Sequence, residues 1–336
     1  MMSRAAIVLA LLMASLAATV AVPRQAPSAL SYSFDAKQKC HYVTKKVHGK
    51  KVKVKVCKKV TPTPTPTPTS PPKLFSLPSG IAVDPQGDVY VADAGRGVID
   101  KLSSSGALIQ TIGAPGSSPG QFADPNLLTL DGAGNLYVAD SANHRVQELS
   151  AVGKPIAQFA DPALQEPFGV AVDAQGNVYT ASPSDNRAGK FLPGGAFVAS
   201  WGAGVQIRHS SAVALDSAGV LYVSRPQDGM IQKISADGQA LALIGAGTGL
   251  QRPDGLAFDA HEDLFVVDRV QGEIFELSSD GKLIATWGAS SKFSFVAKGR
   301  TNGIAVDAAG NMYVADTSNG RVVKLGPDGT VLATWK

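Results

Sequence analysis

Short apolar runs, each bounded by turn residues, recur along most of this chain. The clearest copy is Asn302-Gly-Ile-Ala-Val-Asp-Ala-Ala-Gly-Asn-Met-Tyr-Val-Ala-Asp316, two strand-length runs joined by a tight turn. Asp307 opens the turn, and Gly310-Asn311 supply residues that tolerate positive φ at low cost. The frame recurs with its first Asp at 84, 131, 173, 216, 259 and 307, at spacings of 47, 42, 43, 43 and 48 residues. A period in the forties, with strand pattern throughout, predicts a radial array of four-stranded sheets. The expected fold class is all-β, a six-bladed β-propeller of four-stranded antiparallel blades over residues 74–336.

Each repeat predicts its own strand roles. The run before the first Asp, as in Gly80-Ile-Ala-Val-Asp84, is continuously apolar and fits an inner strand buried on both faces. Nine residues later the second strand ends at Asp93, Asp140, Ser182, Arg225, Asp268 or Asp316. A third strand follows, such as Arg145–Leu149 or Arg321–Leu325, and then a turn that is often Asp-Gly leads into the outer strand. The outer strand carries one bulky residue at matching places: Ile112, Phe159, Trp201, Ile244, Trp287 and Trp335. Tryptophan at a repeated position fits packing between blades better than a ligand cage. Because the chain enters on an inner strand and leaves on an outer one, no strand is exchanged between the first and last blades. Closure is expected to rest on side-chain packing of blade 6 against blade 1, with Trp335 at the joint.

The segment ahead of the repeats divides into three. Met1–Ala21 has a charged start at Arg4, an Ala-rich apolar run and small residues at Thr19-Val20-Ala21, the layout of a removable secretory signal. The competing reading is a retained anchor. Residues 22–60 form a basic segment in which Cys40 and Cys57 flank alternating Val and Lys around His48-Gly49, a hairpin pattern. So small a hairpin has no core, and a Cys40–Cys57 disulfide is expected to staple it after export. Zinc is the rival for this Cys/His set, but the spacing fits no familiar zinc pattern. Residues 61–73 are a Thr/Pro-rich linker, extended and semi-rigid because proline fixes φ.

Charge changes the picture only when the chain is divided. Val22–Lys73 carries net +11 and Leu74 to the end net −8, within a whole-chain total of +4. The basic head suits anionic envelope polymer, lipid headgroups or nucleic acid, or is simply a solvated face. The acidic body makes the propeller a poor nucleic-acid binder.

The Gly-Ile-Ala-Val-Asp, Tyr-Val-Ala-Asp and Asn-x-Arg-Val elements, with Asn143-His-Arg-Val146 and Asn319-Gly-Arg-Val322 as the best copies of the last, resemble NHL repeats. That resemblance covers residues 74–336 and implies a six-bladed propeller; its members include peptide-amidating lyases, RNA-binding domains, kinase sensor domains and scaffolds. Propeller ligands usually sit at the channel mouth. Five residues before each first Asp, one mouth position reads Ser79, Asn126, Phe168, Ser211, Asp254 and Asn302. Asp254 and Asn302 also resemble metal-binding positions of the gluconolactonase and regucalcin family, which implies a weak Ca2+ site formed with Asn126. No other cofactor is expected. That family's acidic ligand in the first blade is replaced here by Ser79.

Other chemistry finds little support. His144, His209 and His261 are placed too far apart for one zinc ion and read as surface residues. There is no nucleophile elbow, no propeller thiol and no phosphate-binding glycine loop. Acids that recur blade after blade read as acceptors for turn N–H groups, and Arg145 and Arg321 as their partners. The expectation is a secreted or envelope-associated, non-catalytic binding or scaffold propeller. Its partner would be an extracellular protein, peptide or glycan, with no stable membrane span once the signal is removed. The alternative is a metal-dependent lactonase or lyase using Asp254, Asn302 and Asn126.

Overall fold

The computed structural model describes residues 40–47, 49–57, 73–202, 205, 207–288 and 302–336. The signal-like segment and the Thr/Pro stretch up to residue 72 lie outside these residues. Backbone packing divides the chain into one unit ending at Ser70 and another beginning at Pro71. No helix among the described residues is long and apolar enough to cross a membrane.

In the first unit, strands Cys40–Val47 and Lys50–Cys57 pair antiparallel, with Cys40 opposite Cys57 in backbone register. The cysteine side chains, and His48 between the strands, lie outside the described set. Alternation puts Tyr42, Thr44, Lys46, Lys51, Lys53 and Lys55 on one face, and Val43, Lys45, Val52 and Val54 on the other.

The second unit is the six-bladed propeller. Each blade is a four-stranded antiparallel sheet built from contiguous sequence. Blade 1 comprises Pro78–Val83, Val89–Asp93, Val98–Leu102 and Leu108–Ile112, and blade 6 comprises Ile304–Val306, Met312–Asp316, Arg321–Leu325 and Val331–Trp335. The second strands are buried along their whole length in every blade, as Tyr137, Tyr179, Tyr222 and Tyr313 illustrate. In blades 1, 2, 4 and 6 the outer strand is largely exposed except at its buried last residue. In blades 3 and 5 that residue, Trp201 or Trp287, is half-buried, so the core lies between blades. One element was not expected: Ala114–Pro115 pairs in parallel with Gln121–Phe122, in the longer connection between blades 1 and 2.

The recurrent acids behave as turn fasteners. Asp84, Asp131, Asp173, Asp259 and Asp307 each accept N–H bonds from residues two and four positions on, and Asp216 accepts from Val220. In three blades the same carboxylate also takes an Asn amide and a Tyr hydroxyl, as Asp307 does from Asn311 at 2.8 Å and Tyr313 at 3.0 Å. Burial raises the pKa of Asp173 and Asp307, but these hydrogen bonds outweigh it and hold both below the usual value. At the other end of the second strand, Asp93, Asp140 and Asp268 bind the loop leading into their own blade. Arg145 and Arg321 pair with Asp140 and Asp316, at 2.9 and 2.6 Å.

The bulky end of each outer strand packs under the next blade. A Cβ on Gly238 would lie 1.8 Å from Trp201, on Gly329 2.0 Å from Trp287, and on Gly106 2.1 Å from Trp335. The turn glycines therefore have two duties: positive φ, and room for the preceding blade's indole. The last of these contacts closes the ring, since Gly106 belongs to blade 1 and Trp335 to blade 6. One apolar cluster spans that joint, containing Phe75, Ile81, Val91, Tyr313, Val322 and Trp335.

Two outcomes are expected. Deleting residues 331–336 removes a buried Trp and an outer strand, and should lower the thermal midpoint by about 10 °C or more. Gly238→Ala should cost about 1–3 kcal/mol through the clash with Trp201. Differential scanning calorimetry of both variants checks this, and unchanged melts would show that the blades are held by other contacts.

Candidate functional site

The six inner strands surround a central cavity of about 290 Å3. Its lining is backbone and mostly apolar side chain, with Ala82, Thr129, Ala171, Ala214, Ala257 and Ala305 at one level. Small residues at that level follow from geometry, because six strands converging on an axis leave little room.

Just beyond, the strands close to a neck, and here the predicted mouth residues sit. Ser79, Asn126, Ser211, Asp254 and Asn302 are buried, and only Phe168 is half-buried. They form a packed collar instead of an open rim. A Cβ on Gly80 would meet the Asn126 carbonyl at 2.3 Å, on Gly169 the Ser211 carbonyl at 2.8 Å, on Gly255 the Asn302 carbonyl at 2.2 Å, and on Gly303 the Ser79 carbonyl at 2.7 Å. Glycine is thus required by the close approach of one inner strand to the next.

Hydrogen bonds complete the collar. Gly303 N–H donates to the Ser79 carbonyl at 2.7 Å, and Leu127 N–H to the Phe168 carbonyl at 3.0 Å. The Ser79 hydroxyl donates to the Pro125 carbonyl at 2.8 Å. Asp254 receives the Ser211 hydroxyl at 3.0 Å on one oxygen and the Asn302 N–H at 2.9 Å on the other. Thr317 donates to the Asn302 side-chain oxygen at 3.1 Å. On blade 2, the Asn126 amide donates to the Ser141 hydroxyl at 2.8 Å, while its own oxygen is buried without a partner.

Of the trio expected to hold Ca2+, Asp254 and Asn302 therefore meet, through a backbone N–H. Asn126 instead bonds to Ser141 on its own blade. Among the described residues, no three His, Cys, Asp or Glu side chains are gathered closely enough to hold a metal ion. The histidines sit elsewhere: His144 and His209 are exposed in loops, and His261 is 84% exposed beside Asp259.

Asp254 is the electrostatic oddity of the neck. Burial pushes its carboxyl up to about 6, against the pull of Arg269, the hydrogen bonds from Asn302 and Ser211, and Arg252. Sequence reasoning named the residue but not this property, because burial at the neck depends on how closely the blades approach.

The sequence profile of the virginiamycin B lyase family matches residues 72–334. The chain belongs to that family. A streptogramin B lyase structure superimposes with a TM-score of 0.59 at 17% identity, covering 78% of this chain and 83% of that one. The virginiamycin B lyase of Staphylococcus aureus gives 0.57 at 16% identity, covering 77% and 84%. A catalytically inactive histidine-to-alanine variant of the latter, with quinupristin, gives 0.58 at 16% identity, covering 77% and 84%. At such identities these likenesses show the fold alone. No curated protein matches the chain. The family assignment narrows the resemblance read from the repeats: the chain is a propeller of the lyase-like group.

The raised Asp254 pKa makes a pH prediction. A carboxyl whose folded pKa of about 6 exceeds its unfolded value binds its proton more tightly when folded. Its contribution is present at low pH and is lost as pH rises from about 4 through about 6, on the order of 2–3 kcal/mol. Asp254→Asn keeps an acceptor for the Asn302 N–H and offers an N–H to the Ser211 oxygen. Urea denaturation should find the variant more stable than the parent at pH 8, with the difference vanishing near pH 4. A variant less stable at pH 8 would show that the charged carboxylate holds the neck.

Proposed function

We propose that this chain is an exported binding propeller that uses the lyase-family fold without the family's turnover. The observation that carries this reading is the occupied neck, whose polar groups clamp neighbouring strands. The Staphylococcus aureus variant described as catalytically inactive has lost a histidine, which ties that protein's activity to an imidazole. Here the six neck positions are Ser, Asn, Phe, Ser, Asp and Asn, and the propeller's three histidines lie in separate turns.

The remaining parts fit export and display. The signal-like start would direct export, the basic hairpin would contact anionic polymer, and the Thr/Pro spacer would link the hairpin to the propeller. Opposed Cys40 and Cys57 support the expected staple, since directly paired strand positions lie within disulfide reach. Ca2+ at the neck is a weaker proposal, because Asp254 already has two donors.

A second reading has one specific observation in its favour. A carboxyl held near 6 beside a serine hydroxyl is tuned as a proton acceptor would be, and the family is named for lyases. Incubation with quinupristin, followed by liquid chromatography, separates the two. Binding propeller or not, the first reading expects quinupristin to survive intact. Turnover that disappears in a folded Asp254→Asn variant would replace it with the second.

A further inference from the structure

Where the repeat departs from its own pattern, the structure opens a second cavity. Asp93, Asp140, Asp268 and Asp316 end their second strands as buried carboxylates, but blades 3 and 4 have Ser182 and Arg225 there. Departures from a repeated rule mark places where something other than folding sets the residue.

The physical consequence is visible in the loop leading into blade 4. Arg225 accepts no hydrogen bond and instead pairs with Asp228. Ser224 takes over part of the duty, accepting Ala212 N–H at 2.9 Å. The lead-in itself leans on blade 3, where the Asn186 side-chain oxygen accepts His209 N–H at 2.9 Å. Asn186 and His209 both hold positive φ, at 55° and 49°, a conformation unusual for non-glycine residues. Between the blade 3 turn and this loop lies a cavity of about 520 Å3. That volume is in the range of small-molecule sites.

Charge and hydrogen-bonding capacity identify what the cavity would take. Arg187 and Arg208 supply two guanidinium groups, against one carboxylate, Asp185. Asp185 is turned to its own blade, accepting Gln165 N–H at 2.6 Å and the Ser182 hydroxyl. Arg187 donates one bond, to Ser200 at 2.9 Å, and Arg208 has no hydrogen-bond partner among the described residues. The cavity is thus a cationic pocket on an acidic propeller. Gly202 belongs to it as well, since a Cβ there would come within 3.1 Å of the Arg187 chain. Asn186 and Gln227 add amides.

We propose that this pocket between blades 3 and 4 binds an organic carboxylate flanked by hydroxyl groups, the chemistry of a uronic acid residue. Guanidinium matches carboxylate in planar, bidentate fashion, and the amides suit hydroxyls. The site stands apart from the neck, so it holds whether or not the propeller turns over quinupristin.

Calorimetric titration of the full chain with glucuronate, glucose and inorganic phosphate tests this, alongside an Arg187→Gln, Arg208→Gln double variant. Both side chains are exposed, so the variant should melt with the parent. Glucuronate should bind at least tenfold more tightly than glucose, and the double variant should lose at least tenfold in affinity. The lysine-rich head is common to both proteins, so a loss confined to the variant locates the site in the pocket. Equal binding of glucuronate and glucose, undiminished binding by the variant, or phosphate binding ahead of glucuronate would each overturn the proposal.

Discussion

Six inner strands approach one another so closely at the neck that four of their joints admit no Cβ. That constraint organises the rest. It requires glycine ahead of the Ile-Ala-Val run, small residues along the channel, and polar side chains whose partners lie on adjacent blades. A ring closed without strand exchange has no continuous ladder of backbone bonds around it. It depends instead on neck contacts inside and on Trp or Ile seated over turn glycines outside. The blade 6 to blade 1 joint uses both, through Gly303 with Ser79 and Trp335 with Gly106.

The same constraint bears on chemistry. Carboxylates that look abundant enough for catalysis are engaged in holding turns and lead-in loops, and most are too deeply placed to meet a substrate. Asp254 differs because it stands at the axis with its proton affinity raised by burial. Membership of the virginiamycin B lyase family shows what kind of propeller this is, while the residues at the neck decide what this member can do. Function is then best sought where the repeat yields, at blades 3 and 4, rather than where it is most regular.

Much of the fold was legible in the sequence because each blade repeats one set of local rules. First Asp residues open Asx-type turns, second-strand acids cap loops, and Arg145 and Arg321 find the predicted carboxylates. Blade number and contiguous strand order also followed from the spacing. The second duty of the turn glycines did not, since Gly238 meets Trp201 from 37 residues away and no local pattern reports it. The neck was read as an open mouth for a similar reason. Position in the repeat located Ser79, Asn126, Phe168, Ser211, Asp254 and Asn302, but how far the strands close is a property of the whole ring. His209 read as an ordinary surface residue because the cavity beside it is lined from two blades, with Arg187 and Gln227 far from it in sequence.

Native-state hydrogen exchange at the neck measures this dependence most directly. The Gly303, Asn302 and Leu127 amides should exchange only through global unfolding, at the same free energy as the buried second strands. Exchange of those three amides through local opening, while the second strands stay protected, would show that the neck is a mouth that opens and that the ring is held together from outside.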